Sequence, residues 1–171
     1  MKKIIYFALF VFAAIGLAWA NWPTSALPRD TRADRLLIEK RKRRLSLLHE
    51  GRVVKAYTIS LGRAPLGAKT RKGDNKTPEG IYRIVAHKAD SAFHRALRLS
   101  YPEPKDSDQA RLAGTDPGSD IMIHGMKNGA GLLGRTHRLI DWTAGCIAVT
   151  NSEIEQLFDV VPDGTFVEIQ P

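Results

Sequence analysis

The chain has 171 residues, 43% hydrophobic and 26% charged, with 26 Lys and Arg against 18 Asp and Glu and a formal net charge of +8. That is enough chain and enough apolar surface for one domain with a real core, and it excludes a disordered polymer. A single cysteine, Cys146, excludes an internal disulfide, a multi-cysteine zinc site and the usual iron–sulfur ligation.

In chain order, Met1-Lys2-Lys3 is a short cationic start, followed by an uncharged apolar run from Ile4 to Ala20 that closes on Ala18-Trp19-Ala20. This is the layout of a secretory signal over residues 1–20, with an uncleaved membrane anchor as the competing reading. Either way the rest of the chain is expected outside the cytoplasmic membrane, periplasmic or otherwise extracytoplasmic and associated with the cell wall. Without Lys2 and Lys3 the remainder is still basic, which favours acidic partners in general. No run interleaves aromatic with basic residues, so nucleic acid is not expected as a partner. A membrane contact is expected only if residues 1–20 stay attached.

Residues 21–33, with Pro23 and Pro28, read as a linker. From Asp34 apolar residues alternate with polar ones: Leu36 and Ile38, then Leu45 and Leu47, with a third strand over Val53–Ser60. The charged run Glu39–Arg44 between the first two reads as a solvated hairpin turn. Gly62–Gly80 reads as a long loop. Strands follow at Ile81–Ala86 and Arg95–Ser100, then a short helix over Asp106–Ala113. Ile121–His124 is a strand ending at Gly125, and Met126–Ile140 a loop with a helical turn. Cys146–Val149 is β-prone. Thr150 and Glu153 form a capping box for a helix whose apolar face is Ile154, Leu157 and Phe158. Thr165–Ile169 is the last strand. Strands outnumber helices without alternating with them, so the domain, residues 34–171, should be mostly β with one or two short helices.

Cys146 follows Thr143-Ala144-Gly145, small residues that let a substrate backbone approach and let main-chain N–H groups face a developing oxyanion. A free thiol is a liability outside the cytoplasm unless it has a use. If the Ile121–His124 strand pairs with the strand opened by Cys146, His124 comes beside the sulfur as its base. The carbonyl of Gly125 would then take the Nδ1 proton and leave Nε2 free for the thiol. His137 is the rival base, with Asp141 near it in sequence. No His-x-His, His-Glu-x-x-His or cysteine pair is present, so neither a metal nor another cofactor is expected.

These residues resemble the YkuD-type L,D-transpeptidases of bacterial cell walls. The likeness runs from about Asp34 to Ile169 and rests on an opening hairpin, Ala33-Asp34-Arg35-Leu36 through Leu48, and on four further pieces in order. They are Ser60-Leu61-Gly62, Gly73-Asp74-Asn75-Lys76-Thr77-Pro78-Glu79-Gly80, Ile121-Met122-Ile123-His124-Gly125 and Thr143-Ala144-Gly145-Cys146-Ile147. It implies a β-sandwich-like catalytic fold with the cysteine in a groove. It also implies a cysteine acyltransferase acting on peptidoglycan stem peptides through a thioester. Cys146, His124 and Gly125 would be catalytic, while Gly145, Thr143, Arg138 and Arg135 would serve the oxyanion and the substrate. Two positions depart from the family pattern. Ala144 stands where a histidine is usual, and Ala148 where an arginine or asparagine is usual, so a substrate carboxylate needs another partner. The run Asp141–Thr150 is similar to a divergent branch of the family in which hydrolysis of cross-links is also known. Alternatives are therefore a hydrolase of the same bonds, including one that releases a wall-linked lipoprotein, and a wall-binding module without catalysis.

Overall fold

The computed structural model describes residues 2–171. The apolar run forms one helix, α1 (Lys2–Ala20). Eight strands follow: β1 (Arg35–Glu39), β2 (Arg44–His49), β3 (Arg52–Thr58), β4 (Gly80–Ser91), β5 (His94–Leu99), β6 (Met122–His124), β7 (Ile147–Ala148) and β8 (Phe166–Gln170). Two further helices, α2 (Pro104–Leu112) and α3 (Asn151–Val160), and a 3-10 segment, Gly131–Leu139, complete the chain. The strand order is β3-β2-β1-β8-β4-β5-β6-β7 in one mixed sheet. Only β1–β8 and β6–β7 run parallel.

The alternation read at Leu36, Ile38, Leu45 and Leu47 places those side chains on one face, all fully buried. Val167 and Ile169 of β8 extend that face across the parallel pairing with β1. The two ends of the sheet meet. The chain leaving β3 sends Ser60 back to β7, where Ser60 N donates to Ala148 O at 2.9 Å and Ala148 N to Ser60 O at 2.8 Å. Sealing the two-residue strand β7 in this way removes an open sheet edge beside the cysteine. The enclosed core runs from Leu36 through Ile84, Leu97 and Ile123 to Val149, and α3 closes it with Ile154 and Leu157. The fold is thus mostly β with short helices, as expected. In α3 the capping box forms as written: Thr150 N donates to Glu153 Oε2 at 3.0 Å, and the Thr150 side chain receives the Glu153 backbone N–H.

The charged run Glu39–Arg44 departs from expectation. It is a hairpin turn with Arg41, Lys42 and Arg44 exposed as expected, but Glu39 and Lys40 are buried. Lys40 is 2% exposed. Its Nζ donates to Gly67 O at 2.7 Å, Thr77 O at 3.1 Å and Glu79 Oε1 at 2.7 Å. Burial of an ammonium is tolerated because every donor has an oxygen. Arg41, Lys42 and Arg44 face water, while through Lys40 the turn clamps the Gly62–Gly80 loop. Arg43 does the same for the loop before the cysteine, donating to Asp141 through Nε at 3.0 Å and Nη2 at 2.6 Å.

Candidate active site

The parallel register of β6 and β7 sets Ile123 opposite Ile147 and His124 opposite Ala148. Cys146 then lies level with Met122. Side chains alternate between faces, so Cys146 and His124 share one face, two positions apart along the pair. Both line one cleft of about 570 Å³. Its walls include Phe93 and Trp142, and its rim carries Arg63, Lys88, Lys127, Asp90 and Asp120.

His124 is buried, and its Nδ1 lies 2.7 Å from Gly125 O. A carbonyl only accepts, so Nδ1 carries the proton and Nε2 keeps its lone pair. Burial pushes the imidazole below its usual value, with the Gly125 bond acting weakly the other way. Two aromatic rings hold it, Phe93 at 4.5 Å between centroids and Trp142 edge-on at 5.7 Å. Gly125 is required where it stands, because a Cβ there would lie 2.8 Å from Asn151 Oδ1 and 3.1 Å from Phe93 O.

The Cys146 sulfur is half-buried and its thiol is pushed upward, first by burial and also by the Asp120 charge. A Met122 N–H bond and the Lys69 charge oppose this. The thiol donates to Asp120 O at 3.5 Å. Asp120 reaches it from a left-handed conformation (φ 59°), which aspartate tolerates better than most residues. Burial thus pushes both the cysteine and the histidine toward their neutral forms.

The turn before the cysteine is built by Thr143. Its hydroxyl donates to Cys146 O at 2.7 Å and accepts from Gly145 N at 3.1 Å. The Gly145 N–H is thus engaged inside the turn and is not available to an oxyanion, nor is the Thr143 hydroxyl free for substrate. The Cys146 N–H has no acceptor among the described residues. Gly145 takes φ 136°, and a Cβ there would lie 2.6 Å from Lys76 O. The Gly73–Gly80 segment therefore supports the nucleophile turn from beneath. Within it, the buried Thr77 hydroxyl accepts from Gly62 N at 3.2 Å.

Arg138 and Arg135 are not in the cleft. Arg138 is ion-paired with Glu153 at 2.6 Å, tying the 3-10 segment to the start of α3. Arg135 donates to Trp19 O at the end of α1. The cations that do line the cleft are Arg63, Lys88 and Lys127, and no ion pair holds any of the three among the described residues. Their exposed positions left no periodic signal, and Phe93 gave none either. Trp142 was visible only as part of a motif. His137 is buried away from the cleft, with Nδ1 3.1 Å from Ser60 Oγ and 3.4 Å from the Trp142 indole N–H. Burial and the neighbouring Arg138 push it down to about 4. Asp141 does not orient it, since that carboxylate is held by Arg43 and by Leu61 N at 2.9 Å.

A thiol and an imidazole on one face of a closed mostly-β sheet, lining one cleft, form an arrangement that can carry out nucleophilic chemistry at a carbonyl. Residues 33–169 match the model of the YkuD L,D-transpeptidase catalytic domain, and the chain belongs to that family. Among curated relatives it is 33% identical over 119 residues to YafK of Escherichia coli, named as an L,D-transpeptidase, covering 68% of this chain and 40% of YafK. It is 27% identical over 165 residues to YqjB of Bacillus subtilis, also named as one, covering 96% of this chain and 84% of YqjB. Among solved structures, the helical cell shape determining protein Pgp2 of Campylobacter jejuni aligns with TM-score 0.62 and 25% identity, over 91% of this chain and 54% of that one. The chain thus spans only about half the length of YafK and Pgp2.

Proposed function

We propose that this protein is a peptidoglycan-modifying cysteine acyltransferase working through a thioester on Cys146. The observation that carries this is the placement of the free Nε2 lone pair of His124 and the Cys146 sulfur on one sheet face within one cleft. The donor is a tetrapeptide stem, cut between meso-diaminopimelate and the terminal D-alanine. His124 Nε2 takes the thiol proton as the sulfur attacks the carbonyl carbon. The C–S bond forms, the carbonyl electrons move onto oxygen, and the Cys146 N–H meets that oxyanion. Collapse breaks the C–N bond, and His124 returns the proton to the departing D-alanine amine. An amine of a second stem then attacks the thioester, forming a C–N bond and releasing the thiol. Water in place of the amine gives hydrolysis through the same intermediate.

Ala148 is buried and bonded to Ser60, so it offers the donor nothing. Arg63, Lys88 and Lys127 stand in for the missing polar group and meet the carboxylates of the donor. Incubation with purified tetrapeptide muropeptides and mass spectrometry of the products tests the reading. A cross-linked dimer is expected, and a trimmed tripeptide alone would assign hydrolysis. Unchanged substrate with chain that is folded would leave a wall-binding module.

A further inference from the structure

Helix α1 has 19 residues, about 28 Å at 1.5 Å per residue, close to the roughly 30 Å of a bilayer's hydrocarbon. Its side chains are exposed along its length until Ala20, which is buried. It starts at Lys2 and Lys3 and carries Trp19 in its last turn, with Trp22 just past its end, the order of a helix with its start inside and aromatic residues at the outer interface.

The end of this helix packs onto the 3-10 segment. Ala20 O lies against Gly134, where any Cβ would overlap it and where φ is 46°. Asn21 Nδ2 donates to Leu132 O at 2.9 Å, and Arg135 Nη1 to Trp19 O at 3.4 Å. The Ala20–Asn21 bond, which a signal peptidase would cut, is thus part of a packed junction. The same segment turns large apolar side chains to solvent. Leu132, Leu133, Leu139 and Ile140 are 53–83% exposed, and outside α1 no other ten-residue stretch exposes more than two such residues.

We propose that α1 is retained as an anchor and that Leu132, Leu133, Leu139 and Ile140 rest in the outer interface of the bilayer. The partner is lipid, because the patch continues directly from a helix of membrane-spanning length and composition. Arg135, at the junction, lies where it meets anionic headgroups. The domain is then held on the membrane by two contacts and does not hang from residues 21–33. The chain that makes the second contact leads on to Trp142 at the cleft wall.

The full-length chain in phosphatidylethanolamine–phosphatidylglycerol vesicles provides the test. A Leu139→Cys chain carrying Cys146→Ser is labelled with an environment-sensitive fluorophore. Lipids brominated high on the acyl chain should quench it severalfold more than a label at Leu112→Cys, an equally exposed leucine of α2. Equal quenching at the two positions would overturn the proposal, as would shielding of position 139 without quenching, which marks a protein partner. Intact mass of the chain recovered from its own membranes should include Lys2–Ala20; a chain beginning at Asn21 would also overturn it.

Discussion

At His124 and Cys146 the same burial acts in opposite directions on charge. It lowers the imidazole and raises the thiol, so each is pushed toward its neutral form. The thiolate should therefore appear only as the imidazole takes the proton, not as a standing ion pair. Iodoacetamide alkylation of Cys146 should keep rising with pH to above the ordinary thiol value of 9.0. A plateau near neutral pH would reveal a resting ion pair instead. For turnover, protonated His124 is inactive, so kcat/KM should fall as pH drops through a value below 6.5. His124→Ala should cost ~10²–10⁴-fold in kcat, as for a positioned general base. His137→Ala should cost far less, because its Nδ1 faces Ser60 and the Trp142 indole N–H. Arg63→Ala should raise KM for tetrapeptide donors with little change in kcat, since a carboxylate contact exists in ground and transition states alike. Arg138→Ala should instead lower stability by about 3 kcal/mol by stranding Glu153, which is 7% exposed, and chemical denaturation measures that loss.

The strands and α3 were legible because their buried residues follow the period of their element: Leu36 and Ile38 in β1, Ile154 and Leu157 in α3. What was illegible is what long polar side chains do. Lys40 and Arg43 read as solvated because nothing in their spacing says that Thr77, Glu79 and Asp141 fold back over them. Arg135 and Arg138 sit close to Cys146 in sequence yet face α1 and α3, so proximity along the chain misled where register did not. The histidine, by contrast, was readable because β6 ends at His124 and Cys146 immediately precedes β7, so pairing these two short apolar strands puts both residues on one face. The Gly62–Gly80 loop belongs to this scale as well. Burial alone would raise Asp74, but the Lys69 ammonium and the backbone N–H groups of Thr70, Lys76 and Arg71 more than offset it and hold it at about 2. Its folded value is depressed, so the stabilisation is present above the unfolded value of 3.8 and is lost as pH falls toward 2. Asp74→Asn should cost about 2 kcal/mol at neutral pH by denaturant titration, with the difference from the parent gone near pH 2. An unchanged midpoint at neutral pH would mean that Asp74 does not hold the loop. Because Lys76 O lies under Gly145, loosening this loop should also lower activity.

Over the whole molecule the sheet closes on itself through Ser60 and Ala148, and that closure makes the cleft. It brings the Gly62 loop, the β6 histidine and the cysteine just before β7 to one opening. Inside, Lys40 and Lys69 are balanced by Glu79 and Asp74, so the basic excess lies elsewhere and part of it is displayed at the cleft rim by Arg63, Lys88 and Lys127. Binding of an anionic donor should therefore weaken as ionic strength rises, since exposed rim charges are screened over roughly 8–10 Å at physiological salt. The Gly62 loop, His124 and Cys146 all lie within the matched residues 33–169. The thioester is the central claim, and intact-mass measurement after rapid acid quenching of the protein with a tetrapeptide muropeptide tests it most directly. The parent chain should become heavier by the donor less one D-alanine, with the added mass on the peptide that carries Cys146 and absent from Cys146→Ser. Product formation that persists in Cys146→Ser, with no adduct on the parent chain, would contradict it.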